Sequence, residues 1–318
     1  MRTQPSFWVT RGVISTLLLP LAWLYGLGTM LHRLVVSPKA LPIPVISIGN
    51  VTTGGAGKTP TTIALVRLLK ESGYVPHILS RGYGAKIVTP LRVDAAHHTA
   101  QEVGDEALLL AQCAPTWVCP NRYEAGIAAI AAGANVLVCD DALQHHALEK
   151  DLNILVIDGG YGLGNARLLP AGPLRESLRS AVQRSHATIM IGNDTQQLSP
   201  KISLPLFNAT IRPQGDTAWL NGTRVIAFAG IARPQKFYDS LLGLDAVLTA
   251  TFSFADHHTF TEEELTQLTS GDAIAVTTQK DWVRLSPQWQ ARIKYLPITL
   301  DFTAPHILKQ WINDALTS

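Results

Sequence analysis

The chain has only three cysteines in 318 residues, Cys113, Cys119 and Cys139. Their number is odd and no C-x-x-C occurs, which excludes a disulfide framework and a zinc site and fits a reducing compartment. Charge is scarce too: Asp, Glu, Lys and Arg make up 16% of residues and the formal net charge is +2. So neutral a balance gives no global case for nucleic acid and leaves a local basic patch as the only electrostatic site. Internal repeats, low-complexity tracts and a guanine-reading N-K-x-D run are all missing. The hydrophobic share of 47% suffices for a full core, and the length suits one large or two medium domains.

The most informative stretch runs from Ile46 to Thr59. Ile43 to Ile48 is apolar and rich in β-branched residues, as a buried strand would be. Asn50 and Thr52-Thr53-Gly54-Gly55-Ala56-Gly57-Lys58-Thr59 follow, then a helical pattern through Ile63, Leu65, Val66, Leu68 and Leu69. Three glycines within four positions let several N–H groups point into one concavity. Lys58 suits the β- and γ-phosphates and the Thr59 hydroxyl suits Mg²⁺. The helix N-terminus adds its positive dipole end. Thr52 stands where the usual G-x-x-x-x-G-K-[ST] loop has its first glycine. Strand, loop, GKT and helix in this order predict nucleoside triphosphate binding and leave the reaction open.

The N-terminus carries a second signal. Gly12 to Leu31 contains no charge, with Arg2 and Arg11 before it and His32, Arg33 and Lys39 after it. Twenty helical residues span about 30 Å, the thickness of a bilayer core. Trp8, Trp23 and Tyr25 suit an interface, whereas Pro20, Gly26 and Gly28 weaken a rigid span. No A-x-A-like site follows, which argues against a cleaved signal peptide. A membrane-associated helix over residues 1–36, lying in or dipping into the leaflet, is the preferred reading over a buried core helix.

Further along, strands alternate with helices, which predicts an α/β fold: a P-loop-like, mostly parallel sheet flanked by helices. Val75 to Leu79 ends in Ser80-Arg81-Gly82-Tyr83-Gly84, a strand-end loop of the kind that lines ligand crevices. Gly104-Asp105-Glu106 opens a helix, where the residues alone read as acidic capping. Asn121-Arg122 opens another helix. Val136 to Cys139 runs into Asp140-Asp141, a Walker-B pattern whose two carboxylates cannot share one direction on a strand. Gln144, His145 and His146 lie just beyond, the adjacent histidines poorly spaced for zinc. Asn165 to Glu176 combines Arg167 and Arg175 with Pro and Gly, as guanidinium recognition of an anion would require. The Pro-, Asn- and Gly-rich run from Ser199 to Gly222 places a boundary near Pro205, giving units 37–205 and 206–318, the second a smaller α/β domain. In that second unit, Tyr295 to Leu300 reads as a sheet-closing strand and His306 to Leu316 as a terminal helix.

Taken together the motifs resemble the tetraacyldisaccharide 4′-kinases, the lipid A kinases of Gram-negative bacteria. The resemblance rests on the apolar N-terminus, Gly49-Asn50 with Gly54 to Pro60, Ser80 to Gly84, Gly104-Asp105-Glu106, Asp140-Asp141 with Gln144, Arg167 to Glu176, Gly230-Ile231, and Asp256-His257-His258 with Phe260. It spans nearly the whole chain, and the absent first Walker glycine is a habit of that family. Ala142 and Ala166 stand where glycine would be expected. The resemblance implies transfer of the γ-phosphate of ATP to the 4′-hydroxyl of tetraacyldisaccharide 1-phosphate, giving lipid IV-A, at the cytoplasmic face of the inner membrane. It implies Asp105 as the base, oriented by His257, with Lys58 and the loop amides neutralising phosphate charge. Thr59, Glu106, Asp140 and Asp141 become candidates for Mg²⁺. Asn50, Arg81, Arg122, Gln144, Arg167 and Arg175 become candidates for substrate or the ATP tail. Neither nucleic acid nor a protein partner is expected. The rival readings are a P-loop ligase of the dethiobiotin-synthetase type and a membrane-bound nucleotide-switch ATPase.

Overall fold

The computed structural model describes residues 5–82 and 84–317, so Arg2 and Tyr83 lie outside the described residues. Thirteen strands are described: β1 Val45–Gly49, β2 Pro76–Ser80, β3 Leu91–Arg92, β4 Thr116–Val118, β5 Val136–Cys139, β6 Leu152–Asp158, β7 Ala187–Ile191, β8 Leu206–Pro213, β9 Arg224–Ala229, β10 Val247–Ser253, β11 Ile274–Thr278, β12 Lys294–Leu296 and β13 Ile298–Phe302. The helices are α1 Val13–Leu17, α2 Leu19–Val35, α3 Lys58–Glu71, α4 Ala100–Val103, α5 Asp105–Ala111, α6 Arg122–Ala131, α7 Leu178–Arg184, α8 Gln235–Leu242, α9 Glu262–Leu268, α10 Gln279–Trp282, α11 Pro287–Gln290 and α12 Pro305–Thr317.

A nine-stranded sheet runs β13-β8-β7-β6-β1-β5-β2-β4-β3, and a four-stranded sheet runs β10-β9-β11-β12. Pairing in the large sheet is parallel except at its two edges, β13 on β8 and β3 on β4. β1 sits at the centre and is buried at all five positions. Its lack of alternation follows from helices covering both faces. The register sets Ser47 opposite Cys139 on one side and Asn153 on the other. The C-terminal ends of β1, β5 and β6 therefore emerge together, and with them the glycine loop, Asp140 and Asp158. α3 packs its Leu65, Val66, Leu68 and Leu69 against Ile46, Ile48 and Val138.

The α/β, mostly parallel architecture matches expectation, but the sheets do not follow the expected division at Pro205. β8 and β13 belong to the large sheet, and α12 packs Leu308 and Ile312 into its core beside Leu300. Only the stretch from Arg224 to Leu296 builds the small sheet. β8 escapes a periodicity reading because, near the sheet edge, only Ala209 of its residues is buried. The expected strand Tyr295 to Leu300 splits at Pro297, which has no N–H for a ladder; its carbonyl instead accepts from Gln214 N at 2.9 Å. The two chain crossings between the sheets are thus tied to each other.

The N-terminal helix is broken in two at Leu18, just before Pro20, and no described helix is long and apolar enough to cross a membrane. It is not a buried core helix either. Leu17, Leu21, Trp23, Leu24, Leu27, Leu31, Leu34 and Val35 are exposed, and of α2 only Ala22 is fully covered. The protein side of the pair is held by Asn165, whose side chain donates to Phe7 O at 2.8 Å, and by Trp8 Nε1, which donates to Pro170 O at 3.0 Å.

Candidate active site

One cleft of about 1340 Å³ opens between the C-terminal ends of the large-sheet strands and the small sheet. Its floor is the glycine loop. Gly54 and Gly57 take φ of 94° and 85°, values that L side chains rarely adopt. A Cβ on Gly57 would meet Ile191 Cδ1 at 2.5 Å, so a side chain there would be strained in its backbone and would push Ile191 aside. α3 begins at Lys58, directly behind the loop, and aims its N-terminus into the cleft. Lys58 Nζ donates to Asn50 Oδ1 at 3.1 Å and lies 3.6 Å from Asp141. Asn50 in turn donates to Thr52 O and Oγ1 at 2.7 and 3.0 Å, and Thr53 N donates to Pro173 O at 2.8 Å. Asn50 and Thr52 are buried props of the loop rather than lining of the cleft.

The two carboxylates after β5 diverge, as a strand requires. Asp140 is buried and accepts from Thr62 Oγ1 at 2.7 Å. Burial first, then the charges of Glu106 and Asp141, push its carboxyl upward. Asp141 takes φ of 48° and accepts from Arg175 Nη1 at 2.9 and 3.1 Å. Burial works upward on it as well, but Lys58 and Arg175 hold it below the ordinary range. The hard oxygens of Thr59, Asp140 and Asp141 suit Mg²⁺, which keeps several waters and binds through one or two carboxylates plus substrate phosphates. A buried carboxylate with a raised affinity for protons is one that a cation would bring back to its charged form.

Across the cleft, Asp105 opens α5 and His257 sits at φ of 59° in the loop after β10. His257 Nδ1 lies 2.9 Å from Asp105 Oδ2, although 152 residues separate them. Asp105 Oδ1 accepts from Glu106 N at 2.8 Å, and Arg284 Nε stands 3.7 Å from Oδ2. Burial alone would raise Asp105, but the His257 hydrogen bond and the charges of Lys280, His257 and Arg284 hold it at about 2. Glu106 pairs with Lys280 Nζ at 3.2 Å.

The remaining candidates separate into groups. Arg81, Arg122, Gln144 and Arg175 line the cleft with the loop and the couple. Arg122 is buried and donates to Asp140 O at 2.9 Å, which holds the Walker-B turn. Gln144 donates to Asn50 O and Glu176 Oε1, both at 2.9 Å. Arg167 differs from expectation: it lies outside the cleft lining and donates to Ser15 Oγ at 2.8 Å and Thr16 Oγ1 at 3.0 Å, fastening the N-terminal helix. Tyr25 of α2 reaches the cleft wall. His145 is held at about 4 by burial first and then by neighbouring charge, that of Arg122 and Lys150 foremost.

Sequence reasoning did not single out Lys280, Arg284, Asp158, Arg233 or Lys236. Asp158, at the end of β6, pairs with Arg233 Nη1 at 2.6 Å and with Lys236 Nζ, and Arg233 also donates to Gly55 O. The available signal was position: Asp158 ends β6, and the others lie in the turns and first helical turns that follow the C-terminal ends of β9 and β11, where ligand crevices open.

The profile of the family described as tetraacyldisaccharide-1-P 4′-kinase matches residues 14–317. A tetraacyldisaccharide 4′-kinase of Rhodospirillum rubrum is 42% identical over 312 residues, covering 95% of this chain and 94% of that one. Another, from Paramagnetospirillum magneticum, is 43% identical over 311 residues, covering 96% of each. Among solved structures, an "apo" form of LpxK from Aquifex aeolicus in complex with ATP superposes with a TM-score of 0.78 at 29% identity, covering 96% of this chain and all of that one. A profile match across almost the entire length, with relatives above 40% identity, leaves no separate part of the chain unaccounted for: this protein belongs to the tetraacyldisaccharide 4′-kinase family.

Proposed function

We propose that the chain transfers the γ-phosphoryl group of ATP to the 4′-hydroxyl of a tetraacyldisaccharide 1-phosphate, forming lipid IV-A. The observation that carries the reading is the Asp105–His257 pair, 2.9 Å apart and facing the same cleft as the Lys58 loop. A sugar hydroxyl is a weak nucleophile and needs a carboxylate to take its proton. As the acceptor oxygen bonds to the γ-phosphorus, the bond from that phosphorus to the bridging oxygen of ADP breaks and the hydroxyl proton passes to Asp105. His257 donates to Asp105 Oδ2 and fixes which lone pair faces the acceptor. Lys58, held by Asn50, and the loop amides meet the charge on the phosphates. Mg²⁺, bound with ATP through Thr59 and Asp140 or Asp141, would supply electrostatic neutralisation of the transferring group.

The guanidinium groups of Arg81 and Arg175, both in the cleft lining, suit the 1-phosphate. The exposed apolar side chains of α1 and α2, with His32 and Arg33 in the last turn, suit an interfacial helix resting on an anionic leaflet. These features support a location at the cytoplasmic face of the inner membrane, where an acylated sugar would be met. Incubation with γ-labelled ATP and tetraacyldisaccharide 1-phosphate tests the reading. Label appears in the lipid with the native chain and disappears with Lys58→Ala; unlabelled lipid with the native chain, or label retained by the variant, refutes it.

A further inference from the structure

Lys280 is the second residue of α10, two residues past the C-terminal end of β11. Its backbone is fixed by the turn around it. Thr278 caps α10 by accepting from Asp281 N at 3.1 Å, while the buried Asp281 accepts from Thr278 Oγ1 at 2.6 Å, from Gly230 N at 3.1 Å and from Arg284. From this anchor on the small sheet the side chain crosses the cleft to α5 of the large one. Its Nζ lies 3.2 Å from Glu106 Oε1, 3.3 Å from His257 Nε2 and 3.7 Å from Asp256 Oδ1. The carboxylates of Glu106 and Asp256 beside it match its ordinary ammonium form.

An ammonium has three donors and no acceptor. Facing Lys280, His257 Nε2 has to offer its lone pair, and in a neutral imidazole the proton then resides on Nδ1. Nδ1 is the atom 2.9 Å from Asp105 Oδ2. We propose that Lys280 is a positioning residue for the Asp105–His257 couple, donating to His257 Nε2 and so fixing the tautomer in which Nδ1 donates to Asp105. The same ammonium holds Glu106 beside the couple and ties the two sheets together across the cleft. Lys280 needs no contact with substrate for this; it acts through His257. The kinetic part of the claim rests on Asp105 being the base, whereas the tautomer part does not.

Three variants of the full chain separate the roles: Lys280→Met removes donor and charge, Lys280→Gln keeps a donor, and Lys280→Arg keeps both. Each is first checked for folding by thermal melting. The readout is the ¹⁵N shift pair of His257 with labelled histidine, assigned by its loss in His257→Gln. The native protein shows the tautomer with Nδ1 protonated and Nε2 bare; in Lys280→Met that pattern is lost because Nε2 no longer faces a donor and takes up a proton, and Lys280→Gln and Lys280→Arg keep Nε2 bare. In parallel, Lys280→Met lowers kcat about 10-fold with the KM for ATP and for lipid changed less than about two-fold, and Lys280→Gln recovers most of the loss. An unchanged His257 tautomer in Lys280→Met overturns the proposal. So does Lys280→Gln keeping the tautomer while losing as much kcat as Lys280→Met, since charge and not position would then be the function. Should Lys280→Met not fold, loss of the tautomer in Lys280→Gln overturns it. A native couple with the expected tautomer but full turnover in Asp105→Ala would refute the base assignment and leave the Lys280 contact standing.

Discussion

Two opposing effects meet at Asp105. Burial favours its neutral form, and an imidazole, an ammonium and a guanidinium favour the anion; the anion wins, at about 2. The base therefore stands ready as a carboxylate across the physiological range, and its proton affinity must come from the approach of the acceptor hydroxyl rather than from a raised resting value. The same balance sets a stability effect. A carboxyl held below its ordinary value of 3.8 stabilises the fold above about pH 4, and that contribution, of order 2 kcal/mol, disappears as pH falls through about 2. Asp105→Asn, followed by denaturant unfolding at stepped acid pH, will lose stability less steeply over that window than the native chain. An identical slope would show that Asp105 is not held as described. At Ala166, exposed and at φ of 61°, the backbone is one that glycine adopts freely. Ala166→Gly will raise stability by about 1 kcal/mol, read as an upward shift of Tm; a fall would mean the loop tolerates the methyl group without strain. The sequence marked this position through the family's glycine, and the dihedral supplies the reason.

At the scale of elements, local signals were legible and distant ones were not. The strand, glycine loop and α3 could be read because period, glycine spacing and Lys58-Thr59 all lie within one short run. The Walker-B strand was readable for the same reason. Asp105 alone looked like a helix cap, and only the resemblance joined it to His257, because no periodicity reports a contact over 152 residues. For Arg167 the sequence left its partner open, because a guanidinium beside glycine and proline signals an anion site equally well whether it meets a phosphate or, as here, a pair of helix hydroxyls. Its actual role makes a prediction for the N-terminal pair α1–α2. Arg167→Ala removes two hydrogen bonds that dock the pair and will increase proteolytic cleavage near Leu18 while leaving ATP binding unchanged. Deleting residues 1–36 will release the protein from vesicles of anionic phospholipid, measured by co-sedimentation. Vesicle binding that survives the deletion would move the anchor to another surface.

Over the whole molecule, the phosphate loop and the proton acceptor belong to the large sheet, while His257, Lys280 and Arg284 come from the small one. The division expected at Pro205 obscured how the chain achieves this. β8 and β13 return to the large sheet on both sides of the small one, and their linkers are tied at Gln214 and Pro297, so the small sheet is mounted on two adjacent connections. The bridge from Asp158 to Arg233 and Lys236 joins the two bodies beside the loop. Asp158→Asn leaves both cations without a counter-charge at that bridge and will raise the KM for ATP several-fold with a smaller effect on kcat, since Arg233 holds the glycine loop through Gly55 O and touches neither Asp105 nor His257. An unchanged KM would show that the bridge does not shape the nucleotide site.

The central claim is that a carboxylate on one body, oriented by an imidazole on the other, accepts the proton of a sugar hydroxyl while the glycine loop presents the phosphoryl group. The most direct test is steady-state transfer from ATP to tetraacyldisaccharide 1-phosphate by Asp105→Ala, with ATP affinity measured on the same preparation. The account predicts a fall in kcat of about 100-fold or more with ATP binding retained; turnover close to that of the native chain would contradict it.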